Sequence, residues 1–173
     1  MDNKVPISER LVTMYRTQND IAEETREKLI EILNRRLADA IDLQLQGKQA
    51  HWNVKGPNFI GLHKLFDEIV EEVEEYVDLI AERIVQLGGI AEGTAQAVVA
   101  NADMDEYPLN IANGKDHVVA LSKSLATFGR HARYAIQQSD ELGDADSADI
   151  FTEISRGIDK WLWFVEAHLQ AES

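Results

Sequence analysis

Between Pro57 and Leu87 apolar residues recur at the spacing of a helix. Stepped at about 100° per residue, Leu62, Phe66, Ile69, Val70, Val73, Tyr76, Val77, Ile80 and Ile84 gather on one broad face. Roughly opposite them run His63, Asp67, Glu71, Glu74, Asp78 and Glu82, with no Lys or Arg in the row. So wide an apolar face should pack in a bundle. No strand pattern of comparable length competes.

The rest of the chain supplies the partners. A first helix is expected from about Ile21 to Val54, carrying Leu29, Ile32, Leu33, Leu37, Ile41 and Leu45 at helical spacing. "KGPN" ends it, and Pro57 suits the start of the second helix. Gly88-Gly89 then closes the second helix as a C-terminal cap. Residues 90–113 make a long connection for a compact domain, with a short helix expected in "GTAQAVVAN" and extended chain in "EYPLN". A third long helix runs from about Gly114 to Glu141 and a fourth from about Asp146 to Leu169, with turn and cap residues in "SDELGDADSAD" between them. The fold class is all-α: a ferritin-like four-helix bundle with a long second-to-third crossover containing a short helix. Residues 1–20 are read as a partly flexible N-terminal segment and 21–173 as the bundle domain.

At 173 residues the chain is long enough for one real core. Its net charge of −14 argues against a nucleic-acid or anionic-membrane surface, because phosphate contacts need clusters of Lys and Arg. The same charge favours cations, although solubility is its ordinary role. Without cysteine there are no disulfides and no thiolate metal sites. The N-terminal stretch lacks a signal-type apolar core, and no apolar run approaches the ~20 residues of a membrane span, so a cytoplasmic location is expected.

The acidic row on the second helix has an ordinary reading as a solvated face. Solvated faces, however, mix Glu with Lys at i,i+4, because like charges there are destabilising. His51 and His63 add imidazole nitrogens, and imidazole with carboxylate suits iron or zinc better than calcium or magnesium. His63 and Asp67 lie one turn apart, as do Asp78 and Glu82. Asp67 and Asp78, eleven residues apart, are separated by roughly 16 Å along a helix. One ion cannot bridge both pairs within a chain, since ligand bonds are about 2.0–2.2 Å long. A two-fold dimer with antiparallel second helices would bring the first pair of one subunit to the second pair of the other, twice over. There is no Glu-x-x-His in the chain, so a di-iron centre inside the bundle is not expected.

The block "KQAHWNVKGPNFIGLHKLFDEIVEEVEEYVDLIAERIVQLGG", with "YPLN" and "DKWLWFVEAHL", resembles the Dps family, the DNA-protection-during-starvation mini-ferritins. The resemblance covers roughly residues 25–169. It implies a hollow dodecamer of four-helix bundles in which Fe(II) is oxidised at two-fold interfaces, by hydrogen peroxide in preference to oxygen, and stored as ferric mineral. It also implies a protective role against oxidative stress. The family's ferroxidase ligands fall on His51, His63 and Asp67 of one subunit and on Asp78 and Glu82 of its partner. Iron is the metal the resemblance implies, with zinc as a competitor or alternative.

Trp52 matches the tryptophan beside the family's site, with aromatic packing as its ordinary role. Trp161 and Trp163 read as packing residues, and His117, His131 and His168 as structural or exposed. Two departures matter. Lys64 stands where mineral-nucleating relatives often carry an acid, although Glu68 and Glu71 remain nearby. The lysine-rich tail of DNA-binding relatives is also missing: residues 1–20 balance Lys4, Arg10 and Arg16 against Asp2, Glu9 and Asp20. DNA binding is expected to be weak or absent. Asp140, Glu141, Asp144, Asp146 and Asp149 read equally as pore acids of a related cage and as a capped turn with favourable dipole placement. A module that binds and physically protects DNA, and a structural cage whose two-fold site holds zinc or stays empty, are the alternatives to an iron oxidase.

Overall fold

A computed structural model describes residues 13–170. Its elements are α1 (Glu23–Asn53), α2 (Phe59–Gln86), the short α3 (Ala95–Asn101), α4 (Gly114–Glu141) and α5 (Ala145–Glu166). The only β pairing among the described residues is an isolated parallel bridge between Lys55 and Asn113. The bundle and its short crossover helix form where the apolar periodicity places them. Three boundaries shift: α1 starts at Glu23 rather than Ile21, α5 ends at Glu166 rather than Leu169, and the start of α2 moves. Pro57 does not open α2; Gly56 turns the chain at a φ of 113°, and Asn58 stands at the N-cap.

α1 pairs with α2 and α4 pairs with α5, and the two hairpins close on one core. Leu29, Leu33 and Leu37 of α1, Phe66, Val73 and Ile80 of α2, Leu121 and Phe128 of α4, and Phe151 and Ile158 of α5 are all buried in it. Each such side chain contributes about 1.5–3 kcal/mol of transfer free energy. Two helix glycines let the packing close. A Cβ on Gly157 of α5 would lie 1.7 Å from the Tyr76 hydroxyl, and one on Gly47 of α1 would lie 2.7 Å from Val70 Cγ2.

Residues 87–113 carry the chain back along the bundle, so α2 and α4 start at the same end. At that end Lys55 donates its backbone N–H to Ala112, and Gly114 rests against Leu62. The crossover is fastened to α1 by polar side chains rather than by a strand. Asn34 bonds Ile90 O at 3.0 Å and Glu92 N at 2.9 Å. Asp39 accepts from Asp103 N at 2.7 Å, and Gln46 donates to Asp105 O at 3.0 Å. Each bond satisfies a backbone group that would otherwise lie unpaired against α1.

The opposite end is closed by two arginines. Arg26 donates to Leu87 O at 2.7 Å, where Gly88 ends α2 with a φ of 88° and accepts from Tyr15 N at 2.7 Å. Arg83 of α2 binds Asp144 Oδ1 at 2.7 Å and Ser147 Oγ at 3.1 Å, tying α2 to the turn between α4 and α5. Asp144 is thus both the N-cap residue of α5 and the counterion of a buried arginine. Burial pushes its carboxyl up, but the Ser147 and Arg83 hydrogen bonds and the Arg83 charge outweigh that and hold it below the usual carboxylate range.

Candidate metal centre

His51 sits in the last turn of α1 and His63 in the second turn of α2, on either side of the break at residues 54–58. Val54 takes the carbonyl of Ala50, but Lys55 N is drawn away to Ala112, so no amide of the turn closes on the carbonyl of His51. His63 fills that role, donating from Nδ1 to His51 O at 2.8 Å. His51 returns the bond from its own Nδ1 to His63 O at 2.7 Å. The rings stack with centroids 3.8 Å apart and planes 21° apart. Phe59 supports the His63 ring at 5.0 Å.

This reciprocal pair fixes the tautomers. A carbonyl only accepts, so Nδ1 of each ring carries the proton, and in the neutral rings Nε2 is left with its lone pair. Backbone anchoring of Nδ1 is the arrangement that orients a metal-ligating histidine.

Asp67 lies one turn along from His63. Its Oδ1 is 3.8 Å from His51 Nδ1 and is engaged directly by the ammonium of Lys48, which reaches over from α1. The Lys48 hydrogen bond, helped by His51 and His63, holds the Asp67 carboxyl below its ordinary range despite some burial. Asp67 is therefore an ionised carboxylate with a cation already on it. The acidic row contains no Lys or Arg of its own, but the cation comes from α1 instead. Lys48 was not foreseen as part of this site.

Asp78 and Glu82 are exposed on the same continuous helix, toward its other end, and share no contact with His51, His63 or Asp67. Among the described residues no group of three or more His, Cys, Asp or Glu side chains is arranged to hold a metal within one chain. The five candidates thus fall into two groups, His51–His63–Asp67 and Asp78–Glu82, roughly 16 Å apart along α2. Exposed apolar side chains flank both. Trp52 follows His51 and is 67% exposed, and Val85, one turn past Glu82, is 61% exposed.

The remaining singled-out residues resolve case by case. His117 is buried and bonds Tyr107 at 2.9 Å, His131 bonds the buried Asp39 at 2.9 Å, and His168, just past the end of α5, bonds Phe164 O. Trp161 is buried against Phe164. Trp163 packs edge-on against Phe164 and is 61% exposed within the single chain. Lys64, Glu68 and Glu71 are all exposed on α2. The N-terminal residues 1–12, including Lys4 and Arg10, lie outside the described residues.

Comparison with known proteins places this geometry. Residues 30–173 match the family model described as a ferritin-like domain. The chain is 46% identical over 159 residues to the DNA protection during starvation protein of Agrobacterium fabrum, covering 92% of this chain and 98% of that one. Among solved structures, Dps from Mycobacterium smegmatis in its tetragonal form aligns with a TM-score of 0.86 at 32% identity, covering 91% of this chain and 96% of that one. DpsA14 from Streptomyces coelicolor aligns with a TM-score of 0.87 at 35% identity, covering 92% and 95%.

Proposed function

This chain belongs to the Dps group of ferritin-like proteins, and on that basis we propose that it is an iron-oxidising and iron-storing cage protein whose reaction centres are shared between two-fold-related subunits. The observation that carries the proposal is the division of the candidate ligands. His51 and His63 hold Nε2 lone pairs beside an ionised Asp67, while Asp78 and Glu82 lie beyond reach on the same helix. Antiparallel packing of α2 against its copy joins one group to the other and forms two equivalent sites. Trp52 and Val85 supply apolar surface of the kind such a contact covers.

Fe(II) is the substrate. The imidazoles and carboxylates bind it, and the carboxylates also stabilise the more highly charged Fe(III) product. Hydrogen peroxide is the preferred oxidant: it takes one electron from each of two Fe(II) ions, so its O–O bond breaks without releasing a hydroxyl radical. Fe(III) then passes to mineral within the cage, which removes iron and peroxide together. Zinc, which accepts the same donors, competes for the site. Among the described residues no helix is long and apolar enough to cross a membrane, and we place the activity in the cytoplasm.

Stopped-flow oxidation of Fe(II) tests the reading. Peroxide should outpace oxygen, added zinc should slow both, and Asp67→Ala should lower the rate by at least about tenfold, since loss of even an outer-shell partner costs that much. Unchanged oxidation in Asp67→Ala would overturn the assignment. Sedimentation should give a twelve-subunit particle. Gel shift at low salt should show little retardation of DNA, because net charge of −14 leaves too few cationic contacts.

A further inference from the structure

Toward the other end of α1 from His51, a cleft of about 510 Å³ opens between α1, α4 and the crossover. Arg35 and Arg36 face it from α1, and Arg130 and His131 face it from α4, two adjacent basic pairs on opposing helices. Arg35 and Arg130 are exposed and form no ion pair among the described residues. Arg36 is only 7% exposed; its Nη2 is held by Asp39 at 2.9 Å, but its Nε has no partner. Among the described residues five buried side-chain N or O atoms lack a partner, and Arg36 Nε is the one whose residue lines this cleft, where a ligand oxygen can satisfy it.

Asp39 also takes the Nδ1 proton of His131 at 2.9 Å, so the neutral ring offers Nε2 as an acceptor on the cleft side. Glu31 and Asp103 add carboxylate acceptors at the rim. The local charges therefore balance: three arginines stand against Glu31, Asp103 and Asp39. A site of that kind does not select for charge alone. Fork-shaped guanidinium donors suit a tetrahedral oxyanion, and acceptors beside them suit one that keeps an O–H.

We propose that this cleft binds inorganic phosphate. Three of its oxygens accept from Arg35, the free Arg36 Nε and Arg130, and its P–OH donates to His131 Nε2 or to a rim carboxylate. Hydrogen phosphate carries that O–H in both of its forms near neutral pH. Sulfate has the same shape and no proton to donate, so it leaves the acceptor facing an unshared pair, and discrimination against it follows. The phosphodiester of duplex DNA also lacks the O–H.

Isothermal titration of the assembled protein with sodium phosphate and with sodium sulfate, at fixed ionic strength and pH 7.5, is the test. Phosphate should bind saturably, at least about tenfold more tightly than sulfate, which is the scale of one unshared polar pair. Arg35→Gln combined with Arg130→Gln should weaken phosphate at least about tenfold through two lost charged hydrogen bonds. Both positions are exposed, so the variant keeps its fold, and unchanged Fe(II) oxidation serves as the check. The proposal is overturned if phosphate shows no saturation below tens of millimolar, if sulfate binds equally well, or if the double variant binds phosphate undiminished.

Discussion

Lys48 is the residue whose contact most changes the picture of the site. It places an ammonium on Asp67 Oδ1, so on the proposed reading a metal at Asp67 competes with the lysine for that carboxylate. The pair is one-third exposed on each side, which makes the exchange inexpensive: 33% for Lys48 and 37% for Asp67. Partly exposed pairs are worth about 0.2–1 kcal/mol, so Lys48→Met should tighten binding of Zn(II) or Co(II) by up to about fivefold. Titration calorimetry with Zn(II) reads this directly, and weaker binding in the variant would mean that Lys48 helps hold the metal. Sequence alone did not expose the contact, because Lys48 and Asp67 are nineteen positions apart on different helices. Their approach depends on how α1 and α2 are rotated against each other, which periodicity does not specify.

Among the elements, two joints make quantitative tests. Gly157 gives α5 the clearance for Tyr76 of α2, whose hydroxyl donates to Glu72 at 2.8 Å. Gly157→Ala should destabilise the subunit by about 1–3 kcal/mol as overpacking does. Adding Tyr76→Phe should recover part of that loss in chemical denaturation, because the hydroxyl is the nearest obstacle. Additive losses would show that the two helices part elsewhere.

The second joint is Arg83–Asp144, with side chains 7% and 3% exposed. Asp144→Ala leaves a buried guanidinium uncompensated and should cost about 3–5 kcal/mol at pH 7. Because the folded-state carboxyl is held below its ordinary value, its contribution is complete above the unfolded value of about 3.9 and is lost as pH falls through the folded one. Denaturation curves of the two proteins should therefore converge below about pH 4. A gap independent of pH would assign the loss to packing.

Elements differ in how far sequence reveals them. The four long helices were legible because Phe66, Ile69, Val73 and their like repeat with the helical period and glycine marks the ends. The fastening of the crossover was not. Asn34, Asp39 and Gln46 look like surface residues of α1 until residues 90–105 are laid over them. The internal spacing of α2 revealed that Asp67 and Asp78 cannot meet, since that depends on one helix alone. The Nδ1 bonds that set the His51 and His63 tautomers depend on the turn between two helices, and no local pattern encodes them.

For the whole molecule, the central claim is that the chain is incomplete as a chemical unit. On the proposed reading it carries two half-sites, one where the end of α1 meets the start of α2 and one farther along α2, and two-fold symmetry completes them. Two lesions, Asp67→Ala and Asp78→Ala, disable opposite halves. Each variant alone should assemble and oxidise Fe(II) slowly, since every site carries one lesion. In a mixed dimer one site carries both lesions and the other carries none. The decisive measurement is the initial rate of peroxide-driven Fe(II) oxidation by cages reassembled from equal amounts of the two variants, with mixed dimers verified by native mass spectrometry. With random pairing half of the dimers are mixed, and each holds one intact site of two, so about a quarter of the wild-type rate should return. A rate no higher than that of either variant alone, in cages shown to contain mixed dimers, would contradict the shared site.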